Sequence, residues 1–351
     1  MAPNATGTAR LLPRLTTRAL GYVAAAFHSI ERVGPPLPPG PVLVVANHPN
    51  SLLDPLVIFR IAGRPTRPLA KAPLFHQPGV GQVLRAMNGL PVYRRQDDPS
   101  RMHHNEETFR SAIEALWAGE AVQIYPEGVS HDEPALQPLR TGAARISLAA
   151  EADAGWTLDL RIVPVGLTYS RKAVFRGSVV AWMGTPIRVR DWRTAHEIDP
   201  QQAVRDLTAE IGRRLTRVTL NLTEREDRGL IETAERLWTA EKALAGWRER
   251  PGFVDRLPRL QAFALGLAWI RAHDPARHDR LARALHHHQR RLAVLGAGEG
   301  ETPPGYAPRD VVRYALPRAA ALLLTLGPGL LGMLLWALPY RLTGWAVRRI
   351  D

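Results

Sequence analysis

The sequence predicts an α/β fold with a largely parallel sheet flanked by helices. Short apolar runs typical of buried strands alternate with helix-length segments over residues 37–222, and Gly or Pro residues separate many of them. A Pro-rich linker at residues 35–40 precedes this region and cannot be helical. The chain of 351 residues is long enough to bury a substantial core around such a sheet.

The individual elements follow from apolar spacing and turn residues. Strands are predicted at Val42–Ala46, Ala121–Tyr125, Leu160–Tyr169 and Val179–Met183, and Gly89–Tyr93 is predicted to lead into a further strand. Helices are predicted at residues 54–62, Gly79–Met87, Asn105–Ala118, Thr141–Ala152 and from Pro200 to about Leu220. Asp199 fits an N-cap for the last helix, because a proline follows it in the first turn.

Residues 1–36 are predicted to form an N-terminal tail and an amphipathic helix. From Arg14 to Ile30, apolar side chains recur at helical spacing with basic residues between them. Such a helix either lies in a membrane interface or packs on the domain, and the sequence favours the two about equally. A signal peptide is not predicted, because the apolar run is short and interrupted.

Residues 223–310 are predicted to form a helical region that ends in a linker. Thr223 and Glu226 have the spacing of a capping box, and few strand signals follow them. Within this region His286, His287 and His288 are consecutive, so they point around a helix rather than toward one metal ion. No metal site is predicted in the chain.

Residues 311–351 are predicted to form a hydrophobic, membrane-associated hairpin. Ala319–Leu338 holds twenty residues without a charge, and Gly327-Pro328-Gly329 interrupts it near its middle. Arginines flank both ends, which favours the cytoplasmic side for both. The alternatives are one kinked helix that spans the bilayer and, less favoured, burial of the segment against the soluble domain.

Charge and cysteine content limit the classes of function. The formal net charge is +13, so the expected partners are anionic: phosphates, acidic lipid surfaces, nucleic acid or an acidic carrier protein. There is no cysteine, which excludes disulfides, thiolate metal sites and a cysteine nucleophile. Nucleic-acid binding is disfavoured, because no helix-turn-helix, zinc or aromatic stacking signature accompanies the charge.

Four of the predicted strands end in segments that contain candidate catalytic or binding residues. These segments are Asn47-His48, Gly89–Arg95, Tyr125–Ser130 and Val163–Tyr169. The carboxyl ends of parallel strands meet at one edge of a sheet, and ligands bind there. The sequence therefore predicts one crevice that collects side chains from all four segments.

His48 and Asp54 are the candidate acid–base residues in this crevice. An imidazole can accept a proton from a hydroxyl, and a carboxylate can fix its tautomer. An alternative remains open, since Asp54 before Pro55 also fits a helix N-cap and His48 a simple turn residue.

The four segments, in this order, resemble the glycerolipid acyltransferase family, over roughly residues 30–220. That family has a His and an Asp with four residues between them, as base and orienting residue, which the resemblance carries onto His48 and Asp54. Here five residues separate them. The second motif ends in an arginine that binds the acceptor phosphate, which corresponds to Arg95, while Arg94 replaces the usual Asp.

The third motif of the family, Pro-Glu-Gly-Thr-Arg-Ser, corresponds to residues 126–131, with Glu127 and Gly128 matched. Its arginine is missing here, and Arg140 or Arg145 is expected to supply that charge. The fourth motif corresponds to Val163 and Pro164 and is expected to line the acyl site.

The resemblance implies a membrane-associated O-acyltransferase of phospholipid biosynthesis, at the cytoplasmic face of a bacterial inner membrane. It would move a fatty acyl group from acyl-CoA or acyl carrier protein to a hydroxyl of a glycerol phosphate or lysophospholipid, on an anionic membrane surface and without a further cofactor. The alternative is a non-catalytic membrane-binding or tethering protein on the same scaffold. A serine hydrolase is disfavoured, because Asp132 stands where the nucleophile elbow around Ser130 needs its second glycine.

Overall fold

The structure is a computed structural model that describes residues 7–93, 105–170, 172, 177–244, 253–295 and 308–350. The chain divides into two compact units, residues 1–289 and 290–351. Its strands are β1 His28–Val33, β2 Val42–Ala46, β3 Thr66–Lys71, β4 Leu90–Val92, β5 Ala121–Ile124, β6 Arg161–Tyr169, β7 Gly177–Met183 and β8 Ile187–Arg188. Its helices are α1 Gly7–Phe27, α2 Leu53–Ile61, α3 Val80–Ala86, α4 Asn105–Trp117, α5 Gly142–Asp153, α6 Arg193–Ile198, α7 Pro200–Val218, α8 Asp227–Leu244, α9 Phe253–His273, α10 Pro275–Leu295 and α11 Pro308–Ile350.

The strands form one mixed, mostly parallel sheet. Its order is β1-β7-β6-β2-β5-β3-β4, and β8 pairs with β6. The pairs of β2 with β5 and β6, of β3 with β4 and β5, and of β1 with β7 are parallel, whereas β7 and β8 run antiparallel to β6. The predicted fold class is confirmed, and the carboxyl ends of β2, β5 and β6 meet at one edge.

Strand β2 lies at the centre of the sheet and is buried on both faces. Leu43 and Val45 belong to a core cluster that includes residues of α4, α5 and α7. Val42, Val44 and Ala46 point to the opposite face and belong to a second cluster that includes residues of α1 and α2. This explains why β2 reads as an unbroken apolar run, which is typical of a strand with helices on both sides.

Besides the two-residue β8, two strands were not predicted from the sequence. Helical spacing predicted a helix through Ile30, but the chain leaves α1 after Phe27 and His28–Val33 pairs with β7. Strand β3 contains Pro68 and two basic residues, Arg67 and Lys71, which obscure its pattern. In both cases pairing with a distant strand outweighs the local signal.

Helices α8 and α9, with the first part of α10, form a separate apolar cluster within the first unit. It includes Leu230, Leu260 and Leu285. The buried Glu235 accepts hydrogen bonds from Arg256 (2.7 Å) and Arg259 (3.0 Å). The predicted domain boundary after residue 222 stays a prediction, as does the linker over residues 296–307, which lie outside the described residues.

The second unit contains α11, which is one continuous helix of 43 residues through Pro317, Pro328 and Pro339. The predicted hairpin is therefore wrong, because the helix does not break at Gly327-Pro328-Gly329. A proline removes one backbone hydrogen bond and can kink a helix without ending it, and apolar surroundings make a full break more costly. Among the described helices, one stretch, Ala319–Ala337, is long and apolar enough to cross a membrane.

Candidate active site

The site begins where β2 ends, at Asn47. The side-chain amide of Asn47 donates to the carbonyl of Leu167 on β6 (3.0 Å), and its oxygen accepts from the Leu167 N–H (2.7 Å). The side chain thus takes the place of a backbone pairing partner after the strand has finished. This fixes the direction in which the chain continues into His48.

His48 and Asp54 form the pair that the sequence predicted. The Nδ1 atom of His48 lies 2.8 Å from Oδ2 of Asp54, and the two side chains are 18% and 0% exposed. The imidazole ring stacks on the ring of Tyr125, with 4.0 Å between centroids and 18° between planes. Stacking and the hydrogen bond together hold the ring in one orientation.

Asp54 lies in the first turn of α2 and accepts two further hydrogen bonds. The backbone N–H of Asn50 donates to Oδ2 (2.7 Å), and the hydroxyl of Tyr169 donates to Oδ1 (2.7 Å). A carboxylate in this setting acts as an acceptor, so Nδ1 of His48 carries the proton and donates as well. Nε2 then keeps its lone pair, and it has no hydrogen-bond partner within the described part of the chain.

The two tyrosines of this network remain neutral phenols. Burial raises the pKa of Tyr169 well above its usual range, and the nearby charge of Asp54 raises it further. Burial and the charge of Asp54, in that order, also raise the pKa of Tyr125. With its pKa raised in this way, Tyr169 stays protonated at neutral pH and donates to Asp54.

Glu127 connects the loop after β5 to the loop after β2. Its Oε1 accepts from the backbone N–H of His48 (3.0 Å), and its Oε2 accepts from Nε2 of His131 (2.6 Å) and from the N–H of Gln137 (2.7 Å). The carboxylate is fully buried. Both oxygens already have partners within the chain, so the geometry gives Glu127 a positioning role; its predicted contact with substrate stays a prediction.

His131 differs from His48 in that both of its ring nitrogens are engaged. Its Nδ1 accepts from the N–H of Glu133 (3.1 Å), which leaves Nε2 as the donor to Glu127. Its backbone N–H donates to the carbonyl of His48 (3.3 Å). His131 therefore has no free lone pair for a substrate proton, whereas His48 does.

Gly128 and Arg140 are in contact. Gly128 has a φ of +75°, and a Cβ at this position would lie 2.5 Å from Nε of Arg140. The N–H of Gly128 donates to the carbonyl of Tyr125 (3.0 Å), and the N–H of Arg140 donates to that of Pro126 (2.8 Å). The exposed side chain of Arg140 thus packs over the turn next to His48, while its predicted contact with substrate stays a prediction.

Arg94 and Arg95 lie outside the described residues. The strand that leads to them, β4, is separated from β2 by β5 and β3, which is three strand spacings or about 14 Å. Asn105, where the described chain resumes, clasps the backbone of Tyr93: its Oδ1 accepts from the Tyr93 N–H (2.9 Å) and its Nδ2 donates to the carbonyl (2.6 Å). Tyr93 and Asn105 are thereby held together.

Val163 and Pro164 lie in the middle of β6, opposite Val44 and Val45. Val163 is buried in the second core cluster. Among the described residues neither lines the cavity beside His48. Their expected role in lining an acyl site stays a prediction.

A cavity of about 100 Å³ opens beside His48. Its walls come from the loops after β2 and β5, from the end of β6, and from residues 219–228 between α7 and α8. Sequence reasoning missed the last wall, because nothing in the sequence links residues 219–228 to His48. It also missed the roles of Asn47 and Tyr169, which are polar residues in the segments it had singled out, and of His131, which directly follows one of them.

Comparison with known proteins shows which class of enzyme this part of the chain resembles. Residues 27–168 match the model of the Acyltransferase family. The chain is 35% identical over 139 residues to glycerol-3-phosphate O-acyltransferase 2 of Saccharomyces cerevisiae, which covers 39% of this chain and 19% of the relative. It is 29% identical over 152 residues to glycerol-3-phosphate O-acyltransferase 1 of the same yeast, which covers 42% of this chain and 19% of the relative.

A solved structure, that of the 1-acyl-sn-glycerophosphate (LPA) acyltransferase PlsC from Thermotoga maritima, is similar with a TM-score of 0.43 and 20% identity. The similarity covers 56% of this chain and 76% of that one.

Residues 27–168, which lie in the first unit, are therefore similar to an acyltransferase domain. The two yeast relatives are glycerol-3-phosphate O-acyltransferases, so the similarity points to the same glycerolipid acyltransferases that the motifs resemble. The chain spans only about a fifth of the length of these relatives.

Proposed function

We propose that this chain is an O-acyltransferase that moves a fatty acyl group from a thioester donor, acyl-CoA or acyl carrier protein, to a hydroxyl of a glycerol phosphate or lysophospholipid. The observation that carries the proposal is the His48–Asp54 pair at the end of the central strand. Asp54 is fully buried and holds Nδ1 of His48 at 2.8 Å, which leaves Nε2 as the basic atom.

In the proposed mechanism, Nε2 of His48 removes the proton from the acceptor hydroxyl as its oxygen attacks the thioester carbonyl. A carbon–oxygen bond forms, and the resulting tetrahedral intermediate collapses with cleavage of the carbon–sulfur bond. The leaving thiolate takes the proton back from His48, so the products are an ester and a free thiol. A positioned base of this kind contributes roughly 10²–10⁴-fold to the rate.

Asp54 acts through His48 in this mechanism. Its negative charge stabilises the imidazolium that forms when His48 accepts a proton. Tyr169 and the backbone of Asn50 hold the carboxylate in place. Arg95, Arg94 and Arg140 are proposed to bind the acceptor, with Arg95 on its phosphate.

The reaction is proposed to take place at the cytoplasmic surface of a bacterial inner membrane. Support comes from the apolar stretch Ala319–Ala337 in α11, from the exposed apolar side chains of α1, which include Leu12, Leu15, Tyr22 and Phe27, and from the formal charge of +13. A basic protein with such surfaces would bind an anionic bilayer, where both fatty acyl substrates and products reside.

The decisive experiment is a product assay with purified protein, labelled acyl-CoA and a panel of glycerol phosphates and lysolipids. His48→Ala is compared with wild type and with His76→Ala, which changes an exposed histidine that does not line the cavity. The expected result is ester formation by wild type and by His76→Ala at similar rates. In His48→Ala the rate should fall by at least about tenfold, a threshold set below the roughly 10²–10⁴-fold that a general base usually contributes. If His48→Ala forms ester at the wild-type rate, His48 is not the general base. If wild type forms no ester with any acceptor, the non-catalytic tethering function is favoured instead.

A further inference from the structure

The cavity beside His48 has a wall that does not come from the sheet. Thr219, Leu220, Asn221 and Leu222 line it, followed by Arg225 and Arg228. These residues lie between α7 and the first turn of α8, beyond residues 27–168 that match the family. The chain therefore completes its candidate site with residues that the acyltransferase motifs do not include.

Hydrogen bonds fix this wall against the loop that follows β5. The N–H of Leu222 donates to the carbonyl of Pro134 (3.0 Å), and the N–H of Leu136 donates to Oδ1 of Asn221 (3.0 Å). The amide of Asn221 in turn donates to Oγ1 of Thr219 (2.8 Å). The wall is thus positioned by the same loop that Glu127 ties to His48.

Within the described ranges, three cationic side chains line the cavity, and they differ in how strongly nearby carboxylates neutralise them. Lys172 forms an ion pair with Asp132. Arg225 lies 3.5 Å from Glu133, but both side chains are at least half exposed, so water weakens this pair. Arg228 lies 3.7 Å from Glu232, too far for a good hydrogen bond.

Arg228 is the cation with unused donors. Its Nε atom is buried and has no hydrogen-bond partner in the described part of the chain. The neighbouring acid, Asp227, does not compensate Arg228, because Arg271 donates to both of its oxygens. The Arg228 side chain as a whole is 42% exposed and lines the cavity, so an anion bound there would meet its positive charge.

The length of the substrate limits what that anion can be. The cavity of about 100 Å³ is open to solvent and has room for a group of several water-sized atoms, such as a phosphate. In a glycerol phosphate only a few bonds separate the hydroxyls from the phosphate. A hydroxyl at Nε2 of His48 therefore places its own phosphate nearby, whereas the phosphates of acyl-CoA lie a pantetheine arm away.

From these observations we infer that Arg228, with Arg225 and Lys172, binds the phosphate of the acceptor, so that the helical region contributes acceptor specificity. This inference rests on the proposed function for its substrate. It adds Arg228, Arg225 and Lys172 to Arg95, which is proposed above to contact the same phosphate.

The test compares Arg228→Gln with Arg236→Gln, a control on the same helix that also faces Glu232 but does not line the cavity. Initial rates are measured against glycerol 3-phosphate at saturating acyl-CoA, and then against acyl-CoA at saturating acceptor. Arg228→Gln is expected to raise the KM for the acceptor by about tenfold or more and to leave the KM for acyl-CoA unchanged, while Arg236→Gln changes neither. Inorganic phosphate should compete with the acceptor in wild type and more weakly in Arg228→Gln.

Two outcomes would overturn the inference: an unchanged acceptor KM in Arg228→Gln, or an increase confined to acyl-CoA, which would assign the phosphate to the donor. An acceptor effect seen in Arg95→Gln and absent in Arg228→Gln would do the same. Arg228→Lys, which keeps the charge, should recover part of the affinity and serves if the glutamine variant does not fold.

Calorimetric binding of glycerol 3-phosphate in the absence of donor separates this inference from the proposed function. Binding that Arg228→Gln weakens supports the phosphate site even if wild type shows no turnover. If wild type turns over and Arg228→Gln has the same acceptor KM, the proposed function is supported and the inferred phosphate site is rejected.

Discussion

Nδ1 of His48 lies 2.8 Å from Oδ2 of Asp54, although five residues separate them instead of the family's four. The additional residue is absorbed in the turn between them. Ser51 there has a φ of +37°, the N–H of Leu53 donates to the carbonyl of Asn50 (2.9 Å), and the N–H of Ser51 donates to Oγ of Ser130 (3.0 Å). The turn that contains this left-handed residue thus brings His48 and Asp54 into hydrogen-bond contact at the longer spacing.

Replacing Asp54 is expected to reduce acyl transfer less than replacing His48. Asp54→Asn keeps a side chain of the same shape but removes the charge that stabilises protonated His48, whereas His48→Ala removes the base itself. Rates of ester formation at saturating substrates measure the difference. Equal losses in the two variants would mean that Asp54 does more than orient His48, and thermal unfolding of both proteins shows whether the fold survives.

Tyr125 and Tyr169 are expected to resist ionisation until the protein unfolds. Their pKa values are raised in the folded state, so folding keeps them neutral while the unfolded chain ionises near pH 10. Their contribution to the free energy of unfolding is fully present below about pH 10 and is lost as the pH rises above it. Tyrosinate absorbance during an alkaline titration should show a late step that coincides with unfolding.

The matched control for that titration is the Tyr125→Phe/Tyr169→Phe double variant, which should lack the late step and keep the earlier ones. A late step that persists in the double variant would assign it to other tyrosines. Activity between pH 6 and 9 should show no feature from either residue, since both remain protonated there.

Gly128→Ala is expected to displace the side chain of Arg140 in addition to straining the backbone. Gly128 and Gly119 have nearly the same φ, +75° and +73°, but a Cβ at Gly119 meets no atom within 4 Å, whereas at Gly128 it meets Arg140 at 2.5 Å. Both alanine variants pay about 1–2 kcal/mol for the left-handed backbone. Acyl transfer should fall further in Gly128→Ala, and a similar activity in the two variants would show that the position of Arg140 is unimportant.

Glu127→Gln is expected to destabilise the loops on both sides of the cavity. The buried carboxylate accepts from His48, His131 and Gln137, and a glutamine offers one acceptor oxygen in place of two. Leaving buried donors unsatisfied costs about 1–3 kcal/mol of unfolding free energy. A double-mutant cycle with His131→Asn should show coupling, because the two side chains are in direct contact; additive losses would argue against a shared network.

The sequence predicted the parts of the site that follow directly from strand ends, because local spacing determines where a strand stops. His48, Asp54 and Glu127 were found in this way. Arg228 could not be found, since its place beside His48 depends on how residues 219–228 fold back on the loop after β5. Strand β1 was missed for the same reason: only its pairing with Gly177–Met183 makes His28–Val33 a strand.

The apolar part of α11 is expected to span a bilayer as one helix. The prolines at 317, 328 and 339 do not end it, and the 19 residues of Ala319–Ala337 extend about 28 Å at 1.5 Å per residue, close to a hydrocarbon core of about 30 Å. Asp310→Cys and Ile350→Cys, each the single cysteine in this cysteine-free chain, place reporters near the two ends of the helix. An impermeant thiol reagent applied to intact cells should label one variant, and the other only after lysis. If both variants, or neither, are labelled before lysis, both ends lie on the same side of the membrane, as in a hairpin, and the spanning helix is wrong.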